Sequence, residues 1–235
     1  MIQVRPSDQR GFADHGWLVA RHSFSFADYY DPAEMGWGVL RVINEDRIAA
    51  GTGFGRHGHR DMEIVTYILS GALEHKDSLG HGGIIGRGEV QRMSAGTGIL
   101  HSEANPLADQ ETHLLQIWIE PARHGTPASY EQQALPEDEM RGRWRLVASP
   151  DGAEGSTTIG QDARLWASIL APGEGLSYRL APGRLAYVQI VYGRLEINGT
   201  TLAAGDGAKI ADETELQFVA GEEAEFLLFD LPPAA

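Results

Sequence analysis

Gly53-Phe-Gly-Arg-His57-Gly-His59-Arg-Asp-Met-Glu63-Ile-Val-Thr-Tyr-Ile-Leu69 reads as two short strands separated by a turn. Branched and aromatic side chains dominate its second half, and these suit a pleated, half-buried surface. Other runs share that character: Gly38 to Ile43, His113-Leu-Leu-Gln-Ile-Trp-Ile-Glu120, Gln189-Ile-Val-Tyr-Gly-Arg-Leu-Glu-Ile197 and Phe226 to Phe229. Glycine punctuates them, at 29 of 235 residues, well above a usual ~7%. Helical periodicity is scarce. Only Tyr130 to Met140 offers helix formers, and Pro136 interrupts it. Many short strands between tight turns predict an all-β chain built as barrels or sandwiches.

The length suits one large β domain or two smaller ones, and a composition break favours two. Pro121 to Trp144 is polar, charged and proline-containing. It divides the chain into an N-terminal domain (1–125), a connecting segment (126–144) and a C-terminal domain (145–235). The halves echo each other. Tyr67-Ile-Leu-Ser-Gly71-Ala-Leu-Glu74 and Val191-Tyr-Gly193-Arg-Leu-Glu196 each read as a strand–glycine–strand hairpin, followed by Gly86-Arg-Gly-Glu89 and Gly205-Asp-Gly207 respectively. An internal duplication is expected.

Lys and Arg number 19 against 33 Asp and Glu, a formal charge of −14. With no basic patch along the chain, direct nucleic-acid binding and adhesion to anionic membranes are disfavoured. There are no cysteines, which removes disulfides, iron–sulfur clusters, thiolate zinc sites and thiol nucleophiles together. No run approaches a membrane span and Met1 to Arg10 lacks a signal-peptide core, so a cytoplasmic monomer is expected.

Any metal must then be held by His, Asp, Glu or backbone oxygen. The nine histidines are 15, 22, 57, 59, 75, 81, 101, 113 and 124, with none beyond. An imidazole site therefore belongs to the first half alone, and the second half carries no metal. In a strand, residues i and i+2 share a face. His57 and His59 form one such pair; His101 and Glu103, in Gly96-Thr-Gly-Ile-Leu-His101-Ser-Glu103-Ala-Asn105, form another. Two strands with two inward ligands each predict a three-histidine, one-carboxylate site with open positions, a set suited to a divalent transition metal. Glu63 is read as structural. So are His15, His22, His75, His81, His113 and His124, as surface or hydrogen-bonding residues.

Gly51-x5-His57-x-His59-x3-Glu63 followed by Gly98-x2-His101-x3-Asn105 looks like the two motif regions of the cupin superfamily. More closely, the chain resembles the pirin family of two-domain cupins over almost its whole length. The stretches that carry this are His22-Ser-Phe-Ser-Phe-Ala-Asp-Tyr-Tyr-Asp-Pro32, Leu40-Arg-Val-Ile-Asn44, Gly53 to His59 and Gln91-Arg-Met-Ser-Ala-Gly-Thr-Gly-Ile-Leu-His101-Ser-Glu103. Ser149 to Ser156, Gln161-Asp-Ala163 and Phe229-Asp-Leu-Pro232 match the bacterial members, among which the pirin-like quercetin 2,3-dioxygenases are most similar. There are departures from the general cupin pattern: Gly71 falls one residue late, Gly96 stands in place of proline, and Gly58 lies between the histidines.

The resemblance implies a bicupin, two β-barrel domains packed together, with one metal held by His57, His59, His101 and Glu103. It places the carboxylate ligand at Glu103, where most cupins use the position of Glu63. Iron is the first choice of metal; copper, manganese, nickel, cobalt or zinc are alternatives. The implied activity is cleavage of flavonols such as quercetin by O2, with both oxygen atoms inserted and carbon monoxide released. Glu103 is the candidate proton acceptor. Eukaryotic pirins imply an alternative, a metal- and redox-dependent regulator that binds a protein partner without turnover. A third reading makes flavonol cleavage incidental to another physiological substrate.

Overall fold

A computed structural model describes residues 1–233 and is almost entirely β-strand; the expected end of the C-terminal domain at 235 lies outside the described residues. Each half is a two-layered barrel. In the first, a seven-stranded sheet runs, in spatial order, Ser129–Ala134, Glu89–Ser94, Glu63–Ser70, Thr112–Ile119, Leu40–Ile48, Leu18–His22 and Gly11–Asp14. It faces a four-stranded sheet of Gly53–His59, Ile99–Ala104, Ala72–Asp77 and Gly82–Gly86. In the second, the large sheet runs Ile2–Arg5, Gly207–Ile210, Leu185–Tyr192, Ala224–Leu231, Arg164–Leu170, Arg145–Ser149 and Thr157–Thr158. Its small sheet is Gly175–Arg179, Glu215–Ala220, Arg194–Ile197 and Thr200–Ala203. The five inner strands of the two large sheets and all four of the small ones follow the same order; the edge strands differ. Among the described residues no helix is long and apolar enough to cross a membrane.

Alternation along the strands sorts residues between three cores. The two large sheets pack back to back: Ile43, Val65, Tyr67, Leu115, Ile117 and Ile119 of one meet Leu165, Ala167, Ile169, Leu227, Phe229 and Leu231 of the other. Ala224–Leu231 is therefore buried on both faces, all 8 residues of it. Its other face joins Leu216, Phe218 and Ala220 in filling the second barrel. Inside the first barrel the apolar filling is split into two smaller groups, around Ile68 and Leu114 and around Ile64 and Met93. The space between them is where the polar side chains lie.

Strand pairing crosses the expected boundaries at two places. Ser129–Ala134, within the expected connector, is a full strand of the first large sheet, paired with Glu89–Ser94. Helix formers there are overruled by an open sheet edge that needs a partner; only Glu137–Glu139 makes a short 3-10 turn after Pro136. Ile2–Arg5 pairs not with its own half but with Gly207–Ile210 of the second. Each half thus closes its edge with a strand from outside its compact segment.

The expected hairpins at Gly71 and Gly193 are instead corners between layers. Glu63–Ser70 belongs to the large sheet and Ala72–Asp77 to the small one, and Leu185–Tyr192 and Arg194–Ile197 are related in the same way. Gly71 (φ 76°) and Gly193 (φ 80°) occupy the left-handed region at these corners. A β-carbon would lie 2.7 Å from the Glu111 carbonyl oxygen at the first and 2.0 Å from that of Glu223 at the second. A side chain has no room there.

Candidate metal centre

Gly53–His59 and Ile99–Ala104 are antiparallel neighbours in which His57 stands opposite His101, and His59 opposite Ile99. The i, i+2 relation turns all three imidazoles inward. His101 Nε2 lies 3.0 Å from His57 Nε2 and 2.9 Å from His59 Nε2. Two metal–nitrogen bonds of about 2.1 Å meeting at a right angle would place their nitrogens about 3.0 Å apart.

The other ring nitrogens of His57 and His101 show why these two present lone pairs to the cluster. His57 Nδ1 is 2.8 Å from the Gly55 carbonyl and donates to it, so its Nε2 is the free acceptor. His75 Nε2 is 3.1 Å from Asp77 Oδ2 and donates to that carboxylate, which leaves His75 Nδ1 as an acceptor. His101 Nδ1, 3.3 Å from His75 Nδ1, supplies the proton there, and its Nε2 is likewise bare. A carboxylate thus fixes one imidazole, which fixes the next, in the manner of the outer partners of metal-bound histidines. Burial, with the neighbouring histidines adding to it, pushes His101 down to about 3 and His59 down to about 4. Both are neutral near pH 7. Converging neutral lone pairs repel unless a cation lies between them, so the donor set fits a divalent ion with open positions.

Glu103 follows His101 on the same strand, across a bulge between the two, and is held from the opposite sheet. Gln116 Nε2 donates to its carboxylate at 2.9 Å, and Thr66 Oγ1 steadies Gln116 at 2.8 Å. Gln91 Nε2 lies at 3.5 Å and Tyr130 OH donates to Gln91 at 3.2 Å. Burial pushes Glu103 up to about 7, although both glutamines pull it down. His22, Asn44, Gln116, Thr66 and Gln91 are successive partners across five strands of the large sheet. This polar row faces the small sheet that carries the histidines.

Glu63 is elsewhere. It accepts a hydrogen bond from Ser94 Oγ at 2.6 Å and approaches Gly160 of the second half. His75, read from sequence as a surface or hydrogen-bonding residue, is completely buried against His101 and, with His101 and Glu103, forms a second overlapping group of potential donors. Its cue was the inward alternation of Leu73 and His75. His22, also read as structural, lines the cavity with its Nδ1 2.7 Å from Asn44 Oδ1. His113 joins Glu45 at 2.8 Å, away from the centre.

The cavity beside the imidazoles measures about 670 Å³ and is walled mainly by Phe12, Trp17, Phe26, Phe54, Tyr29 and Trp118. Trp118 meets His59 edge to face at 5.0 Å, and Trp17 meets Phe54 similarly at 5.1 Å. A cavity of this size walled by aromatic side chains suits a small, largely apolar molecule. Among the described residues the second barrel has no histidine cluster of this kind. At the places of the ligand strands it carries Leu176, Tyr178, Leu216 and Phe218, and apolar side chains fill its interior.

The profile described as Pirin matches residues 3–119, and the profile described as Quercetinase C-terminal cupin domain matches residues 146–231. A quercetin 2,3-dioxygenase of Escherichia coli K12 is 47% identical over 233 residues, covering 99% of this chain and 100% of the relative. A pirin-like protein of Caulobacter vibrioides is 46% identical over 232 residues, covering 98% and 99%. The crystal structure of the bacterial pirin YhhW from Escherichia coli in complex with nickel(II) superposes with a TM-score of 0.95 at 46% identity, covering 99% of this chain and 100% of that one.

Proposed function

The chain belongs to the pirin family of two-domain cupins, and from that premise we propose that it is a metal-dependent dioxygenase that cleaves flavonols such as quercetin. One observation carries the reading: three imidazoles, His57, His59 and His101, converge at an aromatic cavity that the buried carboxyl of Glu103, grouped with His101, also lines. His57, His59 and His101, with Glu103, would hold one transition-metal ion. That ion would supply a Lewis-acidic anchor for a 3-hydroxy-4-keto pair and room for O2 beside it.

The protein's own part is to bind, orient and move one proton. Trp17, Phe54 and Trp118 enclose the flat rings and exclude water. Glu103, buried at the cavity and held by Gln116 and Gln91, is placed to accept the 3-hydroxyl proton. Gln116 and Gln91 hold the carboxylate while it exchanges that proton. Both atoms of O2 enter the cleaved product and carbon monoxide leaves.

The test is quercetin-dependent oxygen uptake with carbon monoxide detection, on protein reconstituted in turn with iron(II), nickel(II) and copper(II). Wild type should turn over with at least one of them. Glu103→Gln should keep most of its metal yet lose about 10²–10⁴-fold in rate. Full metal content without quercetin-dependent uptake would reject the enzyme reading and leave the metal-dependent regulator.

A further inference from the structure

Asp46 has no place in the metal centre or the proton step. It points inward from Leu40–Ile48, lines the same cavity as His57, His59 and Glu103, and is only 5% exposed. Its cross-strand neighbours are Ala20 and Leu114, neither of which has a polar side chain. No described residue donates it a hydrogen bond or pairs with it; the nearest charges acting on it are those of Glu103 and Glu45, both of its own sign. A largely buried carboxyl whose oxygens meet only a cavity is uncommon, and natural proteins keep few such groups without a use. Ala20 and Ala13, small residues on the next two strands, also line the cavity.

We propose that Asp46 is a specificity-determining residue, accepting a hydrogen bond from a neutral hydroxyl on the part of the substrate remote from its metal-chelating pair. This rests on the flavonol reading of the site and narrows it to polyhydroxylated members. The charge of the cavity points the same way. No Lys or Arg lines it among the described residues, whereas Glu103, Asp46 and Asp28 do. A carboxylated or phosphorylated ring would meet only repulsion at that wall. A phenolic hydroxyl supplies the missing donor without bringing charge. Burial, reinforced by Glu103 and Glu45, raises the Asp46 carboxyl to about 7, which marks how poorly its charge is satisfied until a donor arrives.

A site that hydrogen-bonds a substrate hydroxyl discriminates against the analogue lacking it, because its own buried group is then left unpaired. The probes are quercetin and 3-hydroxyflavone, which share the chelating pair and differ in the remaining hydroxyls. Equilibrium binding is read anaerobically on nickel(II)-loaded protein, through quenching of Trp17 and Trp118. Wild type should bind quercetin at least tenfold more tightly. Asp46→Leu should bring the ratio below about threefold at unchanged nickel content; Asp46→Asn, which keeps the size and one uncharged acceptor, should fall between and serves if the leucine variant does not fold. Wild type binding both probes within threefold, or a ratio preserved in both variants, would overturn the proposal. So would failure to bind either flavonol. Selective binding without oxygen uptake would reject the dioxygenase reading and leave Asp46 as the selector. Turnover of both flavonols with equal affinity would do the reverse.

Discussion

Glu45 shows how single residues tie the first barrel to pH. Burial alone would raise its carboxyl, but the His113 imidazole at 2.8 Å and the Arg10 guanidinium at 2.7 Å outweigh that and hold it down to about 2. A carboxyl depressed in the folded state stabilises above its unfolded value, near 4.5, and that stability is lost as pH falls toward 2. The full effect is about 3 kcal/mol, of which about 2 kcal/mol should disappear between pH 6 and pH 3. Urea unfolding at both pH values checks this: Glu45→Gln should be less stable at pH 6 and lose less on acidification. Parallel profiles for the two proteins would reject it. The convergence of His57, His59 and His101 was legible because residues two apart on a strand share a face. Asp46 and His75 were not. Asn44-Glu-Asp46-Arg47 looks like a polar turn after a strand, and it is in fact the strand continuing. Hydrophobic patterning marks an inward face only where that face meets apolar core. Where it lines a cavity, polar residues take inward positions and the pattern fails.

Among the elements, the layer-crossing corners matter most. At Gly193 a β-carbon would collide with the Glu223 carbonyl oxygen and would lie 2.7 Å from Ala224 Cα, both backbone atoms that begin the central strand of the second barrel. Gly199 is also left-handed (φ 82°) but faces open space. Gly199→Ala should therefore cost about 1–2 kcal/mol, the price of the conformation alone. Gly193→Ala should cost about 3 kcal/mol or more, because the backbone at the corner must move as well. Thermal or urea unfolding of both variants compares them directly; equal losses would show that the corner is not constrained. Sequence revealed the glycines and their repetition in both halves. It did not reveal that the flanking strands part into different sheets, because a turn's residues look alike whether the strands beyond it pair or diverge. The same limit applies to Ser129–Ala134, whose strand conformation comes from Glu89–Ser94 beside it.

At the scale of the whole molecule, two barrels of similar strand order differ in their interiors. One interior is filled, with Leu216 and Phe218 on the strand that corresponds to the one bearing His101 and Glu103; the other keeps its cavity and its histidines. Their large sheets bury one another, and Glu225 of the second half, fully buried, takes Arg87 of the first at 2.8 Å and a hydrogen bond from Tyr67. The bicupin class and the confinement of imidazole to the first half followed from the sequence. The exchange of Ile2–Arg5 into the second sheet did not, since no local pattern says which distant edge a strand will join. The proposed site would hold one metal ion per chain on His57, His59 and His101 with Glu103. Its most direct test is titration of metal-stripped protein with nickel(II), followed by calorimetry and elemental analysis, for wild type and His101→Ala. Wild type should take up one equivalent and His101→Ala should lose nearly all tight binding while unfolding cooperatively. A second equivalent in wild type, or one equivalent retained in His101→Ala, would contradict it.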